Sequence, residues 1–293
     1  MYKHISKNKR NTVLLILGFI ILIGAISAAF AYWFGDWSIS VITIIIATVY
    51  ALIQYFAASS IAVAMTGAHQ IQKTDNPRLY NIVENLVIST GMPMPGVYII
   101  DDPAPNAFAT GRDPKHAVVA ATTGLLDLMD DRELTAVMGH ELSHVRNYDI
   151  RVSTMVFGLV CIVGFLSDIG LRLLIFGDRK SNDSDRNPIG LIVVVVVAIL
   201  APIAAAIAQM AVSRQREYLA DMSSAKITRD PDGMISALKK LETGARPMQH
   251  QNTATEALYI SNPLKKGTIS NLFSTHPPIE KRIERLENGK KSF

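Results

Sequence analysis

At 293 residues, with a net charge of +4 and a single cysteine, the chain has room for one or two domains and cannot form an internal disulfide. Apolar residues make up 49% of it and its mean hydropathy is positive, which argues against an ordinary water-soluble composition and for membrane-spanning segments. The basic excess gathers at the N-terminus and in the C-terminal part without interleaved aromatics, so nucleic acid is excluded as a partner and an anionic lipid bilayer suits it better.

Thr12 to Phe34 carries no charge and is long enough to cross a bilayer, and Trp37 to Ala68 provides a second uncharged crossing. The basic start, with Lys3, Lys7, Lys9 and Arg10, predicts a cytoplasmic N-terminus. Small residues near Ala29 and Ala31 resemble a cleavage site. The apolar run is long for a signal peptide, however, and a second span follows at once, so residues 1–64 read as an uncleaved two-span anchor. Asn76 to Thr90 reads as an amphipathic helix with Leu79, Ile82, Val83, Leu86 and Val87 on one face, ended by Gly91 and Pro93. Runs at 97–100, 107–110 and 117–120, punctuated by Gly and Pro, predict a small sheet.

A helix is expected next over 130–151. Asp130 and Glu133 form a D-x-x-E start, and Leu134, Val137, Met138, Leu142 and Val145 supply an apolar stripe. Inside it lies His140-Glu141-Leu142-Ser143-His144. Positions i and i+4 share a helix face, so the two imidazoles stand side by side to grip one metal ion, with Glu141 placed to act as general base. Three fixed residues in five arise by chance in roughly one chain in a hundred of this length, so context has to decide. Two His and a Glu on a buried helix are costly unless something satisfies them.

Beyond this helix, 152–176 and 189–212 read as a membrane hairpin with an outer loop at 177–188; Cys161 falls within it as a packing residue. The segment Arg214 to Asp221 then holds Glu217 and Asp221 at i, i+4. Glu217 can complete a His2Glu set with His140 and His144, and Asp221 can bond the free ring nitrogen of a ligand His. Three protein ligands and an open position describe a catalytic zinc site, one Zn(2+) per chain. Because these ligands must meet, an even number of crossings separates them. The expected architecture is α+β and mainly helical: a catalytic domain with a small edge sheet, split into 65–151 and 213–293 around the 152–212 hairpin, plus four transmembrane helices. Helix continuity through 151 puts His144 roughly 12 Å along the axis from Val152, and Glu217 roughly 8 Å from Val212, so the metal is expected close to the bilayer. Pro231 to Leu241 and Pro277 to Leu286 read as further helices, and 244–272 as an irregular polar loop.

Over nearly the whole chain these residues resemble the HtpX family of membrane-bound zinc metallopeptidases, relatives of the CAAX prenyl endopeptidases. The match includes the two N-terminal spans, the 140–144 motif, the hairpin, and Glu217 with Asp221. Asn106-Ala107-Phe108-Ala109-Thr110-Gly111 resembles the family's edge strand, and Thr275-His276-Pro277-Pro278 with Arg282 resembles its C-terminal H-P-P signature. The resemblance implies a gluzincin-type zincin fold and endoproteolysis of misfolded or membrane-tethered proteins. It also implies a multi-pass protein of a prokaryotic inner membrane, in envelope quality control and stress response. Beside it, His276 and Arg282 are the candidates for stabilising the oxyanion, and Asn106, Ala107, Phe108 and Ala109 for holding substrate by strand addition. Two other readings compete: a transporter or channel with a structural metal clip, for which Pro202 and Asp168 are the only hints, and CAAX-tail processing, for which four spans supply too little protein. Nothing in the sequence gives the oligomeric state.

Overall fold

The structure is a computed structural model, and it describes residues 2–34, 37–158, 214–244, 246–249, 258–260 and 277–289. Two long helices come first, α1 (Tyr2–Phe34) and α2 (Ser38–Thr66), packed against each other. Among the described residues one stretch, Ile44–Thr66 in α2, is long and apolar enough to cross a membrane, with a mean hydropathy of 1.8. The hairpin read at 152–176 and 189–212, and with it Cys161, lies almost wholly outside the described residues.

A four-stranded sheet follows in the order β1-β2-β4-β3, built from β1 (His69–Gln70), β2 (Gly96–Ile100), β3 (Ala107–Gly111) and β4 (Ala117–Thr122). The β2–β4 pair is parallel (Val97 opposite Val119), whereas β1–β2 and β3–β4 are antiparallel (Ala109 opposite Val119). Side chains alternate between the faces of a strand, and here both faces are covered. Val97, Ile99, Ala107, Ala109, Val119 and Ala121 join the main core. Ile100, Phe108 and Ala120 point the other way, onto Ala58 and Ala62 of α2 and onto Met248, Leu258 and Tyr259.

The helix α3 (Pro77–Thr90) forms where Asn76 caps it, its side chain accepting from Leu79 N at 3.0 Å, and it stops at Gly91, whose φ of 65° suits glycine. After the short α4 (Thr123–Leu128) comes α5 (Asp131–Arg146). Its capping box is complete: Asp130 accepts from Glu133 N and Glu133 accepts from Asp130 N. Leu134, Val137, Met138, Leu142 and Val145 are all buried beneath the sheet and α3, each contributing about 1.5–3 kcal/mol. Beyond residue 213 come α7 (Arg214–Thr228), α8 (Pro231–Thr243) and α9 (Ile279–Gly289). The carboxylate of Glu133 ties α5 to α8, accepting from Lys240 Nζ and Ser236 Oγ, each at 2.6 Å. Contact between α5 and α7 is close: a Cβ on Gly139 would stand 2.8 Å from Ser224 Oγ, which itself donates to Ala136 O.

Two expectations need correction. The helix expected over 130–151 breaks: α5 ends at Arg146, Tyr148 adopts a left-handed φ of 60°, and a new helix, α6, runs over 149–158. The straight-helix height of His144 above Val152 therefore does not hold. The second correction concerns 244–272. Among its described residues Met248, Leu258, Tyr259 and Ile260 are buried where a polar loop was expected, while Arg246, Pro247 and Gln249 are exposed. Met248, Leu258 and Tyr259 fill the face of β3 and β4 that α2 leaves open, and Ile260 joins the main core.

Candidate metal centre

The candidate ligand residues come from two helices. His140 and His144, one turn apart on α5, turn their Nε2 atoms to within 3.2 Å of each other. From α7, Glu217 brings Oε2 to 3.6 Å from His140 Nε2 and Oε1 to 3.5 Å from His144 Nε2. One donor atom from each of the three residues lies within 4.8 Å of the other two, so the set can hold one divalent ion at the usual distance of about 2.0–2.1 Å. Glu141 is buried on the same helix, 3% exposed.

Each imidazole is held by a carboxylate at its other nitrogen. His140 Nδ1 lies 2.8 Å from Asp221 Oδ1, and Asp221 in turn accepts from Arg282 Nε at 2.8 Å and from Arg282 Nη2 at 2.7 Å. Arg282, Asp221 and His140 are all almost fully buried. Arg282 Nη2 also stands 3.5 Å from His140 Nδ1, but only the carboxylate can accept from that nitrogen, so Asp221 sets the tautomer. Burial opposes a charge on His140, yet the hydrogen bonds to Asp221 and Glu217 outweigh it and lift the imidazole to about 9. Burial likewise opposes ionisation of Asp221, and Arg282 with His140 reverses this, holding it down to about 2. The site is therefore built around anions. A metal ion at Nε2 requires that nitrogen to be free of its proton.

His144 has the corresponding arrangement on the other side: Nδ1 is 3.0 Å from Asp149 Oδ2. Sequence reasoning missed Asp149. It lies five residues beyond His144, which on an unbroken helix is off the ligand face, and only the left-handed turn at Tyr148 brings it back.

The remaining expected residues are placed as follows. Arg282 spends Nε and Nη2 on Asp221. His276 lies outside the described residues. Asn106 to Ala109 are buried along β3, the edge strand of the sheet. The edge is not bare. Tyr259 bridges Phe108 in antiparallel fashion, Ile260 N donates to Ala107 O at 2.9 Å, and the Phe108 and Tyr259 rings meet edge to face at 5.4 Å. Asn106 is anchored by Thr122, whose Oγ1 accepts from Asn106 N and whose N donates to Asn106 O.

The profile described as Peptidase family M48 matches residues 73–290, a range that takes in both ligand helices. The chain is 52% identical to the Protease HtpX homolog of Tropheryma whipplei (strain Twist), covering 100% of each. It is 44% identical to the Protease HtpX homolog of Ligilactobacillus salivarius (strain UCC118), covering 98% of this chain and 99% of that one. Among solved structures, the crystal structure of S. mikatae Ste24p superposes with a TM-score of 0.52 over 98% of this chain and 67% of that one. Their sequences are 17% identical, so this likeness concerns the fold. Site and matches together define a metalloprotease. The chain belongs to peptidase family M48, beside the HtpX-type proteases.

Proposed function

We propose that this chain is a membrane-integrated zinc endopeptidase that cleaves unfolded or membrane-tethered polypeptides on the cytoplasmic side of a prokaryotic membrane, in envelope quality control. The observation that carries this reading is the set of three donor residues, two imidazoles and one carboxylate, each offering an atom within 4.8 Å of the others, with a second carboxylate, Glu141, next to the first ligand. His140, His144 and Glu217 hold the zinc, which supplies Lewis acidity and brings the pKa of water towards neutrality. Glu141 then takes the proton of the attacking water and returns it to the leaving amine. Asp221 and Asp149 keep the two imidazoles in the tautomer that presents Nε2. Arg282, placed in the field of Asp221, Glu217 and Glu141, acts chiefly by fixing Asp221, and His276 is the donor assigned to the oxyanion.

Substrate lies along β3. Backbone groups on a strand alternate in direction, so Ala109 N and O face the same side as Ala107 O. An extended peptide pairing there would add a strand to the sheet. The basic residues ahead of Thr12 support a cytoplasmic start, and four crossings, at 12–34, 37–68, 152–176 and 189–212, return the ligand helices to that same side.

The test is metal analysis and casein cleavage by detergent-purified protein, wild type against Glu141→Gln. Both should carry about one zinc, and the variant should lose activity by on the order of 10²–10⁴. Wild-type turnover by Glu141→Gln would remove the proposed mechanism, and a metal-free active wild type would remove the zinc.

A further inference from the structure

His144 is held by a chain of contacts that leads away from α5 and ends on the first helix. Asp149 uses its two carboxylate oxygens separately: Oδ2 meets His144 Nδ1 at 3.0 Å, and Oδ1 accepts from Asn8 Nδ2 at 2.7 Å. The same Asn8 nitrogen donates to the main-chain oxygen of Asn147 at 2.9 Å, at the C-terminal end of α5. With oxygen acceptors on both, the amide can point only its nitrogen this way. Asn8, Asn147 and Asp149 are all buried. Arg216 Nη1, 3.9 Å from Asp149 Oδ1, is the other charged group close to the carboxylate among the described residues.

Independent contacts seat the same turn. Tyr148 sits at φ 60°, a conformation that costs a bulky residue energy and persists where surroundings impose it. Lys9 Nζ stands 4.5 Å from the centre of the Tyr148 ring, and the Arg151 guanidinium lies 5.2 Å from the same ring. One turn further along α1, the buried Thr12 bonds back to Asn8 O, at the point where the apolar run begins. The N-terminal part of α1 is therefore built into the support of a candidate ligand histidine.

We infer that Asp149 and Asn8 are positioning residues for the metal centre, Asp149 by fixing the His144 ring and Asn8 by fixing Asp149, so that metal affinity depends on the seating of α1. This inference rests on the zinc reading given above. An imidazole ligand whose second nitrogen loses its carboxylate typically costs 10–100-fold in metal affinity. The Asn8 side chain acts one step removed and leaves the His144–Asp149 bond in place, so its loss should cost about 2- to 10-fold.

The experiment measures zinc affinity of the full chain in detergent by competition with a chromophoric chelator, and records the visible spectrum of the cobalt-loaded protein, with far-UV circular dichroism as the check on folding. Asp149→Ala should bind zinc about 10–100-fold more weakly and show an altered cobalt spectrum. Asn8→Ala should bind it about 2- to 10-fold more weakly. The double variant should bind no more weakly than Asp149→Ala alone, because both act through one route; a general loss of stability would instead add the two effects. Wild-type affinity in folded Asn8→Ala, or additive losses, overturns the inference while leaving the zinc reading intact. A wild-type chain that binds neither zinc nor cobalt overturns both. Should Asp149→Ala not fold, Asn8→Ala by itself supports the inference through its affinity and cobalt spectrum, or refutes it.

Discussion

Arg282→Met removes the cation from a buried pair while keeping most of the aliphatic stem. The guanidinium makes two hydrogen bonds, at 2.8 and 2.7 Å, to a carboxylate that is 1% exposed, and is itself 1% exposed. Removing one partner of such a pair costs about 3–5 kcal/mol, most of it from the desolvated charge left behind. Here that charge is Asp221, which among the described residues would keep His140. If this account is right, Asp221→Leu added to Arg282→Met should restore stability to within about 1–2 kcal/mol of wild type, since an apolar pair often replaces a buried ion pair without loss. Metal affinity should not recover, because His140 has lost its carboxylate, and should stay about 10–100-fold down. Urea unfolding of the detergent-solubilised chain by far-UV circular dichroism, together with zinc competition, reads both quantities. A single variant costing under about 1 kcal/mol, or a double variant less stable than the single, would refute the reasoning.

At the start of α5, Asp130→Ala removes the carboxylate half of the capping box and should cost about 1 kcal/mol in the same unfolding assay. The pH dependence should show Glu133. Burial opposes its ionisation, but Lys240, Ser236 and the Asp130 amide together draw its carboxyl below the ordinary value of 4.5. A depressed acid stabilises the fold above its unfolded pKa, so its contribution is whole above about pH 4.5 and disappears as the pH falls through the lowered value. Glu133→Gln should therefore flatten the acid side of the stability profile, and an unchanged slope below pH 4.5 would count against the triad. At the edge of the sheet, Ile260→Pro deletes the N–H that occupies Ala107 O. Casein cleavage should rise about 2- to 10-fold if substrate competes for that edge; equal or lower turnover would separate β3 from substrate binding.

Much of the fold was readable where local chemistry decides it. Asn76 with Pro77 and Gly91 bracket α3 almost to the residue, and Asp130 with Glu133 marks the start of α5. The three main strands fall where β-branched and small residues run between glycines and prolines. The meeting of His140, His144 and Glu217 was readable because each group sits on a helix whose period is known. What escaped depends on contacts distant in sequence. Nothing local distinguishes Asn147-Tyr148-Asp149 from continuing helix; the break is held by Asn8 and by the cations over Tyr148. The place of Tyr259 on β3 arises from filling a half-covered sheet face, which composition does not announce. Arg282 sits on a helix rich in charge, and its burial follows from Asp221 on another helix.

Glycine 139 has a bearing on how far this active centre can be redesigned. The gap it leaves beside Ser224 is smaller than a methyl group, so the distance between the histidine-bearing and glutamate-bearing helices is gauged by a missing side chain one position before the motif. An alanine at that point would leave every candidate ligand and general base in the chain unaltered and still press on the Ser224 hydroxyl, which would have to turn away from Ala136 O. Engineers tuning how the two helices seat on each other have an entry point there that no inspection of the coordinating residues would suggest.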